Sequence, residues 1–428
     1  MKQPMDGRRL TAQRVQEVSV AAGKVFQPRT PISIKELFAG RSAQLTTLSD
    51  AVGQHGLHVA IYGERGVGKT SLANVLKSTI TAFEVENTAA ESSRLVVKAN
   101  ANSGDTFQSL WRKLLIDISW QDDRPSLGIA PMQRGRVPLW EAFGLPDSPS
   151  IDDIRRTLAN LPGSVFILDE FDRASAASGD FTDLIKSLSD FAVDCTIVLV
   201  GVADTVDQLV AGHGSISRAM VQIPMPRMEP GELEEILRNA ESSLGVSFSS
   251  ESRRLIVSVS QGLPHYTHLI GLHAVRKAAL ARNAAEIERQ DVFEALRESV
   301  KQAEQSVTER HTKAVHSAHK EALYRHVMLA CAVAAATSRD ALGYFNPSSL
   351  MQPLQSILGR PVEIATFNNH LAEFCQPKRR TVLERIGQPR GYRYRFQDPL
   401  LVPFVFMDAL ATNLVSDKQI SQLLGGRF

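Results

Sequence analysis

The chain has 428 residues, which predicts two or three domains, and hydrophobic residues make up 43% of it, enough for a sizeable core. The net charge is only +2, so the overall charge does not by itself indicate a nucleic-acid-binding protein. Three widely spaced cysteines, Cys195, Cys331 and Cys375, favour buried thiols in a reducing cytoplasm over a disulfide framework or a zinc site. The sequence has neither a signal-peptide core nor an apolar run near the roughly 20 residues that span a bilayer, so we expect a cytoplasmic protein with no membrane partner.

Residues 1–32 are polar and predict a loose N-terminal arm. From residue 33 to about residue 225, short apolar runs alternate with helical patterns, which predicts an α/β fold with a parallel sheet. The predicted strands are His58–Tyr62, Arg94–Ala99, Val165–Leu168, Thr196–Gly201 and Ala219–Pro224. One predicted helix begins near Lys69. Three others cover Thr106–Ser119, Ile151–Leu161 and Phe181–Phe191. Residues 121–149 are rich in Pro, Gly and Arg and predict an insertion or a long loop.

Strand patterns stop after Pro224, and residues 226–303 predict a separate helical domain. Its predicted helices are Gly231–Ser242, Ser250–Ser260, His265–Ala281 and Arg289–Val300. Residues 304–428 predict a linker helix followed by a small C-terminal domain. That domain ends in two strand-like runs, Thr381–Ile386 and Tyr392–Phe396, around a turn at 387–391 that is typical of a hairpin.

A phosphate-binding loop is predicted at Gly63-Glu64-Arg65-Gly66-Val67-Gly68-Lys69-Thr70, because this run matches G-x-x-x-x-G-K-[ST] between a strand and a helix. Glycines let backbone N–H groups converge on phosphate oxygens, and the helix N-terminus adds a favourable dipole. Lys69 would contact the β- and γ-phosphates of ATP, Thr70 would bind Mg²⁺, and Ser71 closes the predicted nucleotide contacts. A chance glycine turn before a helix is the weaker alternative.

An apolar strand, Val165–Leu168, ends in Asp169 and Glu170. Ligands of open α/β sheets lie at the carboxyl ends of strands. Asp169 is therefore predicted to hold the Mg²⁺ shell, and Glu170 to polarise the attacking water as a general base. The alternative is a solvated acidic strand end.

Together, the glycine loop, the strand ending in Asp169 and Glu170, and the helices that follow the sheet resemble an AAA+ P-loop ATPase over residues 33–300. Within that class the chain is similar to the origin-recognition-like ATPases and to the signal-transducing STAND ATPases. The resemblance implies an AAA+ core at 33–225, a helical lid at 226–303 and a winged-helix domain within 304–428.

The resemblance also implies roles for two polar residues near strand ends. Asp204 follows the strand Thr196–Gly201, where AAA+ proteins place a polar sensor residue, although a helix cap is an equal alternative. Arg218 precedes the last predicted strand, where an arginine in AAA+ rings reaches the γ-phosphate of a neighbouring subunit. Its alternative is a cation near a helix C-terminus.

Gly262-Leu263-Pro264-His265 opens a predicted lid helix and departs from the AAA+ pattern, because His265 stands where the lid arginine is usual. The run resembles the glycine-x-proline motif of STAND ATPases, in which the proline packs near the adenine. Upstream, Phe38-Ala39-Gly40-Arg41 resembles the segment that borders the adenine pocket, which places Arg41 at the nucleotide. The missing arginine favours a slow switch over a fast motor; an ordinary helix start with proline in its first turn is the alternative.

The C-terminal segment is basic and follows a predicted helix, Thr366–Cys375. Residues 378–395 contain seven cations and one acid, Glu384; the cations are Lys378, Arg379, Arg380, Arg385, Arg390, Arg393 and Arg395. Such a hairpin suits the phosphate contacts of DNA, with a protein-docking module and a solvated hairpin as alternatives.

These features predict an ATP-binding and hydrolysing switch that forms a homo-oligomer with ATP and engages DNA through a basic winged helix. The alternative is a STAND-like signalling ATPase, for example in bacterial defence, that gates a separate effector protein. A third hypothesis, an ATP-stabilised scaffold with little turnover, is disfavoured by the presence of Lys69, Asp169 and Glu170.

Overall fold

The structure, a computed structural model, describes residues 9–32, 38–86, 94–121, 136–210, 216, 218–319, 322–389 and 391–424. The backbone divides into two compact units. The sheet unit comprises Ile32–Glu64 and Gly68–Pro226. The helical unit comprises Met1–Pro31, Arg65–Val67 and Arg227–Phe428, so the middle of the glycine loop groups with it.

The secondary-structure elements are numbered in chain order. The strands are β1 His58–Gly63, β2 Leu95–Asn100, β3 Ser119–Gln121, β4 Arg136–Pro138, β5 Ser164–Asp169, β6 Cys195–Val202, β7 Met220–Pro224, β8 Ser247–Phe248, β9 Glu286–Ile287, β10 Leu383–Ile386 and β11 Arg393–Phe396. The helices are α1 Ala12–Val25, α2 Ser42–Val52, α3 Lys69–Glu86, α4 Phe107–Leu115, α5 Leu139–Ala142, α6 Ile151–Ala159, α7 Ser178–Asp190, α8 Pro230–Leu244, α9 Ser250–Ser260, α10 Pro264–Arg282, α11 Arg289–Gln302, α12 Gln305–Val315, α13 Tyr324–Thr337, α14 Met351–Leu358, α15 Ile364–Phe374, α16 Leu401–Ala411 and α17 Asp417–Leu423.

The sheet unit contains a five-stranded sheet in the order β2-β5-β6-β1-β7, in which every pair of neighbours is parallel. All six residues of β5 are buried, as expected for a strand covered on both faces. The prediction of a parallel α/β core is therefore confirmed. The chain passes from β1, the fourth strand in this order, to edge strand β2, and returns later to place β7 on the other side of β1. This reversal opens the crevice at the carboxyl end of β1 where open sheets bind ligands.

Aromatic side chains fill the space between the sheet and its helices. Trp111 on α4 is fully buried, with its ring edge-on to Phe166 of β5 at 5.3 Å between centroids and stacked on Phe181 of α7 at 5.9 Å. Thr106 and Ser109 form a reciprocal capping box that fixes the start of α4. This packing anchors β5, and with it the acidic residues at its end.

Residues 121–149 were predicted to form an insertion or a long loop. The prediction of a loop is wrong for the described residues of this segment, 121 and 136–149, because they include regular secondary structure. Strand β4 pairs antiparallel with β3, and α5 follows at once. Leu139 and Trp140 of α5 lie in the hydrophobic core. Elements of three or four residues are too short to show a period, which is why the sequence pattern did not indicate them. Residues 122–135 lie outside the described residues.

The predicted loose arm at 1–32 is also wrong for its described part, because it contains helix α1 of the helical unit. Thr11 caps the helix by accepting the Arg14 N–H at 3.3 Å. Val15, Val18 and Ala22 are buried at helical spacing and α1 packs against α10. Burial of these three apolar residues fixes the helix in place. The stripe that they form was not predicted, because the arm is polar in its overall composition.

The rest of the helical unit is built around α10, which packs against α11 and α9, and around α16, which packs against α11 and α13. The segment predicted to begin with a linker helix begins with two helices, α12 and α13, with a break between them. Strands β10 and β11 pair antiparallel as the hairpin pattern predicted. Among the described residues, no helix combines the length and the apolarity needed to cross a bilayer.

Candidate functional site

The glycine loop connects β1 to α3 and depends on glycine for its backbone path. Gly66 and Gly68 have φ of 84° and 98°, in the left-handed region that favours glycine. At Gly63, a Cβ would lie 2.3 Å from the carbonyl oxygen of Met225, closer than real Cβ atoms approach. No other residue type fits at Gly63 without moving Met225, the residue that follows β7.

Lys69 opens α3 and turns its side chain back over the loop. Its Nζ donates to the carbonyl oxygens of Gly63 at 2.9 Å and Glu64 at 2.7 Å, and the residue is 8% exposed. Burial lowers the pKa of the ammonium to about 8, although nearby carboxylates, that of Asp172 first, act in the opposite direction. Two carbonyl oxygens do not neutralise the positive charge of the ammonium. An anion bound beside Lys69 would do so.

Asp169 lies at the end of β5, is 4% exposed and is hydrogen-bonded through both oxygens. Its Oδ1 accepts the Thr70 hydroxyl at 3.3 Å and the Glu170 backbone N–H at 3.0 Å. Its Oδ2 lies 2.8 Å from Nζ of Lys98. A hydroxyl and a carboxylate oxygen side by side are the donors that Mg²⁺ takes when substrate phosphates complete its shell. In the described part of the chain no group of three His, Cys, Asp or Glu could hold a metal by itself.

Glu170 has a left-handed backbone, with φ of 55° and ψ of 33°, which is strained for a residue with a Cβ. The side chain is half exposed, and its Oε2 accepts a hydrogen bond from Nη1 of Arg173 at 2.7 Å. The carboxylate of Glu170 is therefore open to solvent, unlike that of the buried Asp169.

Two residues of the site were missed by the sequence analysis. Lys98 is a single cation in the strand Leu95–Asn100, and this interruption of an apolar run was its signal. Asp172 lies two residues after Glu170, and its Oδ1 accepts the Val202 N–H at 2.9 Å. A Cβ on the neighbouring residue of β6, Gly201, would lie 2.9 Å from the same oxygen. Asp172 therefore ties the end of β6 to the acidic turn.

Arg41 and Ser71, both predicted to contact nucleotide, have structural partners in the sheet unit. Arg41 is 4% exposed, has a left-handed backbone, and donates through Nη2 to the carbonyl oxygen of Pro226 just after β7. The Ser71 Oγ accepts the Ile32 N–H at 3.1 Å. These contacts connect the segments before α2 and after β7 to the sheet.

Asp204 and Arg218 lie on the surface of the sheet unit. The backbone N–H of Asp204 donates to Oε1 of Gln208 at 2.7 Å, in the turn before a short 3₁₀ segment, Val206–Gln208. Arg218 is exposed and stands two residues before β7. The roles predicted for both residues stay predictions.

The middle of the loop, Arg65–Val67, lies in the helical unit. Arg65 pairs with Glu304 at 2.6 Å and with Asp398 at 3.2 Å. A Cβ on Gly66 would lie 2.8 Å from the side chain of Leu400. The backbone of this loop segment is therefore closely packed against the turn at 398–400.

Pro264 and His265 begin α10 in the same unit. Pro264 occupies the first turn, and Nδ1 of His265 donates to the carbonyl oxygen of Pro28 at 2.6 Å. Burial lowers the pKa of His265, so its imidazole is neutral near neutral pH. A neutral ring cannot supply the positive charge that an arginine, the residue expected here from the AAA+ resemblance, would carry.

Several of the cations predicted to form a basic surface contact acids or aromatic rings of the same chain. Three of its arginines are engaged within the chain: Arg379 with Glu373 and over the Tyr324 ring, Arg393 with Asp340 at 2.6 Å, and Arg395 with Glu384 at 2.8 Å. Three other cations are exposed; they are Lys378, Arg380 and Arg385. Of these, Lys378 lies 3.5 Å from Glu373 and Arg385 covers the Tyr392 ring. Arg390 lies outside the described residues.

Comparison with known proteins identifies the class of the sheet unit. A family model described as an AAA domain matches residues 52–209. No curated protein sequence gave a significant match. Among solved structures, the Orc1 protein of Aeropyrum pernix in complex with DNA is 14% identical, with 94% of this chain and 97% of that chain covered and a TM-score of 0.44.

Two further structures are similar at the same level. A Walker-type ATPase of Pyrococcus abyssi is 15% identical, with 89% of this chain and 99% of that chain covered and a TM-score of 0.48. The Cdc6 protein of Pyrobaculum aerophilum is 16% identical, with 94% and 98% covered and a TM-score of 0.44. Identity and TM-score are too low in all three for a function to be transferred.

The matched segment contains β1, the glycine loop with Lys69 and Thr70, and the strand end with Asp169 and Glu170. The predicted resemblance to the AAA class is thereby confirmed. Residues 52–209 of this chain are therefore similar to an AAA domain.

Proposed function

We propose that this protein binds ATP with Mg²⁺ at the glycine loop, hydrolyses it slowly, and uses the nucleotide state to control self-association and DNA binding. The observation that carries the proposal is the geometry around α3. Its first residue is a buried lysine turned over a glycine loop, and its second, Thr70, is hydrogen-bonded to the buried carboxylate of Asp169.

The residues fit a nucleoside triphosphate. The Lys69 ammonium would exchange its two carbonyl partners for β- and γ-phosphate oxygens, with charge on both sides of the contact. Backbone N–H groups at the start of α3 would add donors and the helix dipole. Thr70 and Asp169 would hold Mg²⁺, which supplies charge neutralisation at the phosphates when bound.

Hydrolysis would depend on Glu170 as the general base for water. In the structure this carboxylate is paired with Arg173 at 2.7 Å, so Glu170 must give up that contact before it can accept a proton. A base that must first be released favours a slow, regulated ATPase. The replacement of the lid arginine by neutral His265 supports the same conclusion.

Self-association is supported by Arg218, a cation exposed just before β7. It would complete the ATP site of a second copy of this chain. If so, Arg218→Ala lowers turnover and ATP-dependent assembly together, as measured by sedimentation with and without ATP. A variant that assembles and turns over like the wild type would exclude this role.

DNA binding is proposed through the exposed cations Lys378, Arg380 and Arg385, beside α15 and the β10–β11 hairpin. A helix followed by an antiparallel hairpin is also the order of elements that supports a winged helix here. If the protein binds no DNA and instead retains a separate effector protein, the STAND-like alternative is favoured.

Calorimetry with ATP tests the central proposal. Wild-type protein should bind ATP in the presence of Mg²⁺, and Lys69→Ala should lose that binding. Lys77→Ala is the matched control, because Lys77 is exposed on the same helix. A wild-type protein that binds no ATP, or a Lys69→Ala variant that binds it equally well, would refute the proposed site.

A further inference from the structure

Lys98 is a partly buried cation in direct contact with the proposed metal ligand. Its Nζ lies 2.8 Å from Oδ2 of Asp169 and donates to Oδ1 of Asn74 at 2.8 Å. The Lys98 side chain is 16% exposed and that of Asp169 is 5% exposed. The contact is therefore shielded from solvent, unlike a surface ion pair.

The sheet register explains why the two side chains meet. In the parallel pairing of β2 with β5, Lys98 lies opposite Ile167 and Asn100 lies opposite Asp169. Side chains two residues apart share a face of the sheet, so Lys98 and Asp169 point to the same side. On α3, Asn74 stands one turn after Thr70, and both contact this pair.

The two oxygens of the Asp169 carboxylate have different kinds of partner. Oδ1 of Asp169 accepts the Thr70 hydroxyl and the Glu170 N–H, which are neutral donors. The partner of Oδ2 is a full positive charge, the ammonium of Lys98 at 2.8 Å. A divalent cation approaching Asp169 would meet the repulsion of this ammonium at short range and in a poorly solvated place.

We propose that Lys98 is a positioning residue for metal binding, a tethered cation that occupies Asp169 in the nucleotide-free protein. It holds the carboxylate beside Thr70 and weakens the binding of a free divalent cation. The metal then enters as a complex with ATP, whose phosphates supply the remaining ligands and negative charge. The proposal rests on the proposed binding of ATP with Mg²⁺ at this loop.

Electron paramagnetic resonance of Mn²⁺, used in place of Mg²⁺, tests this on the full chain without nucleotide. Lys98→Met should bind Mn²⁺ about tenfold more tightly than the wild type, the scale on which one nearby charge changes a binding constant. Lys98→Arg keeps the charge and should bind as weakly as the wild type. Lys77→Met, an exposed lysine on α3, is the control and should also match the wild type. An ion pair that only supports the sheet would leave all four affinities equal, and that result would overturn the proposal.

Lys98→Met leaves Asp169 buried without its counter-charge, so a second variant guards against loss of folding. Asn74→Ala removes one hydrogen bond from Lys98 and loosens the ammonium without removing any charge. It should raise the Mn²⁺ affinity about twofold to threefold, and an unchanged affinity would contradict the proposal. ATP titration of the wild type separates the two hypotheses. No ATP binding there refutes the proposed function, whereas normal ATP binding with unchanged Mn²⁺ affinities refutes only the role of Lys98.

Discussion

Nη1 of Arg173 donates to Oε2 of Glu170 at 2.7 Å, three residues along the same turn, and both side chains are about half exposed. This contact must break before Glu170 can act as the proposed general base. Replacing Arg173 by alanine should therefore raise ATP turnover at saturating ATP by a few-fold, with little change in KM. A coupled phosphate-release assay measures this. Arg238→Ala, which removes a comparable surface pair with Glu234, should leave turnover unchanged. A tenfold fall in turnover would instead make Arg173 part of the catalytic apparatus.

Glu170→Gln separates catalysis from binding, because glutamine keeps the size of the side chain but cannot accept a proton. We expect turnover to fall by about 10²- to 10⁴-fold, the usual contribution of a general base. ATP affinity should stay within about twofold of wild type, because Lys69, Thr70 and Asp169 are unchanged. Single-turnover kinetics and calorimetry measure the two quantities. Full turnover in this variant would mean that another group activates the water.

Sequence patterns predicted the parallel sheet because its strands are short, mainly apolar runs that alternate with helical patterns. The loop was indicated by the spacing of its glycines, Lys69 and Thr70, and Asp169 by its place at the end of an apolar strand; their binding roles stay predictions. Lys98 was not, because its role depends on the pairing of β2 with β5, and neighbours across a sheet are not adjacent in sequence. The β4–α5 segment was missed because three- and four-residue elements show no period.

The basic C-terminal segment shows a different limit of sequence reasoning. Counting cations gave seven against one acid, but the acids that pair with them, Asp340 and Glu373, come from other segments. Arg393, which is exposed, and Arg395, which is half-buried, both pair with acids of the same chain. Only the fold reveals which charges remain for a partner, since the partners of a surface cation are set by tertiary contacts.

Lys69 should make the nucleotide-free protein less stable near neutral pH than it is in alkali. Its folded pKa, about 8, is below the ordinary lysine value of 10.5. Between these values the unfolded chain binds more protons than the folded chain, so this group makes stability rise with pH. Lys69→Met should therefore stabilise the protein at pH 7, by at most about 3 kcal/mol, and the gain should vanish near pH 10.5.

Thermal unfolding across this pH range checks the prediction. Lys77→Met, which replaces an exposed lysine of the same helix, should show no such pH dependence. A stabilisation by Lys69→Met that persists unchanged at pH 10.5 would show that apolar packing, rather than the buried charge, is responsible.

Asp398 should matter more for stability than its partner Arg65. Its side chain is 5% exposed, and it accepts hydrogen bonds from Arg65 at 3.2 Å and from the Leu400 N–H at 3.1 Å. Asp398→Ala would leave that buried N–H without an acceptor and should cost about 1–3 kcal/mol. Arg65 is nearly half exposed, so Arg65→Ala should cost less than about 1 kcal/mol. Urea unfolding of the two variants compares them, and equal losses would show that the ion pair dominates.

The exposed cations Lys378, Arg380 and Arg385 give the sharpest test of DNA binding. If each contacts a phosphate, their combined change to glutamine should reduce the slope of log K against log salt by up to about 3. Arg379, Arg393 and Arg395 are unsuitable for this test, because their intramolecular partners make loss of folding an equal explanation. The matched control replaces Arg238, Arg254 and Lys301, three exposed cations elsewhere in the helical unit, and should leave the slope unchanged. Equal slopes for both triple variants would mean that the β10–β11 hairpin is not the DNA surface.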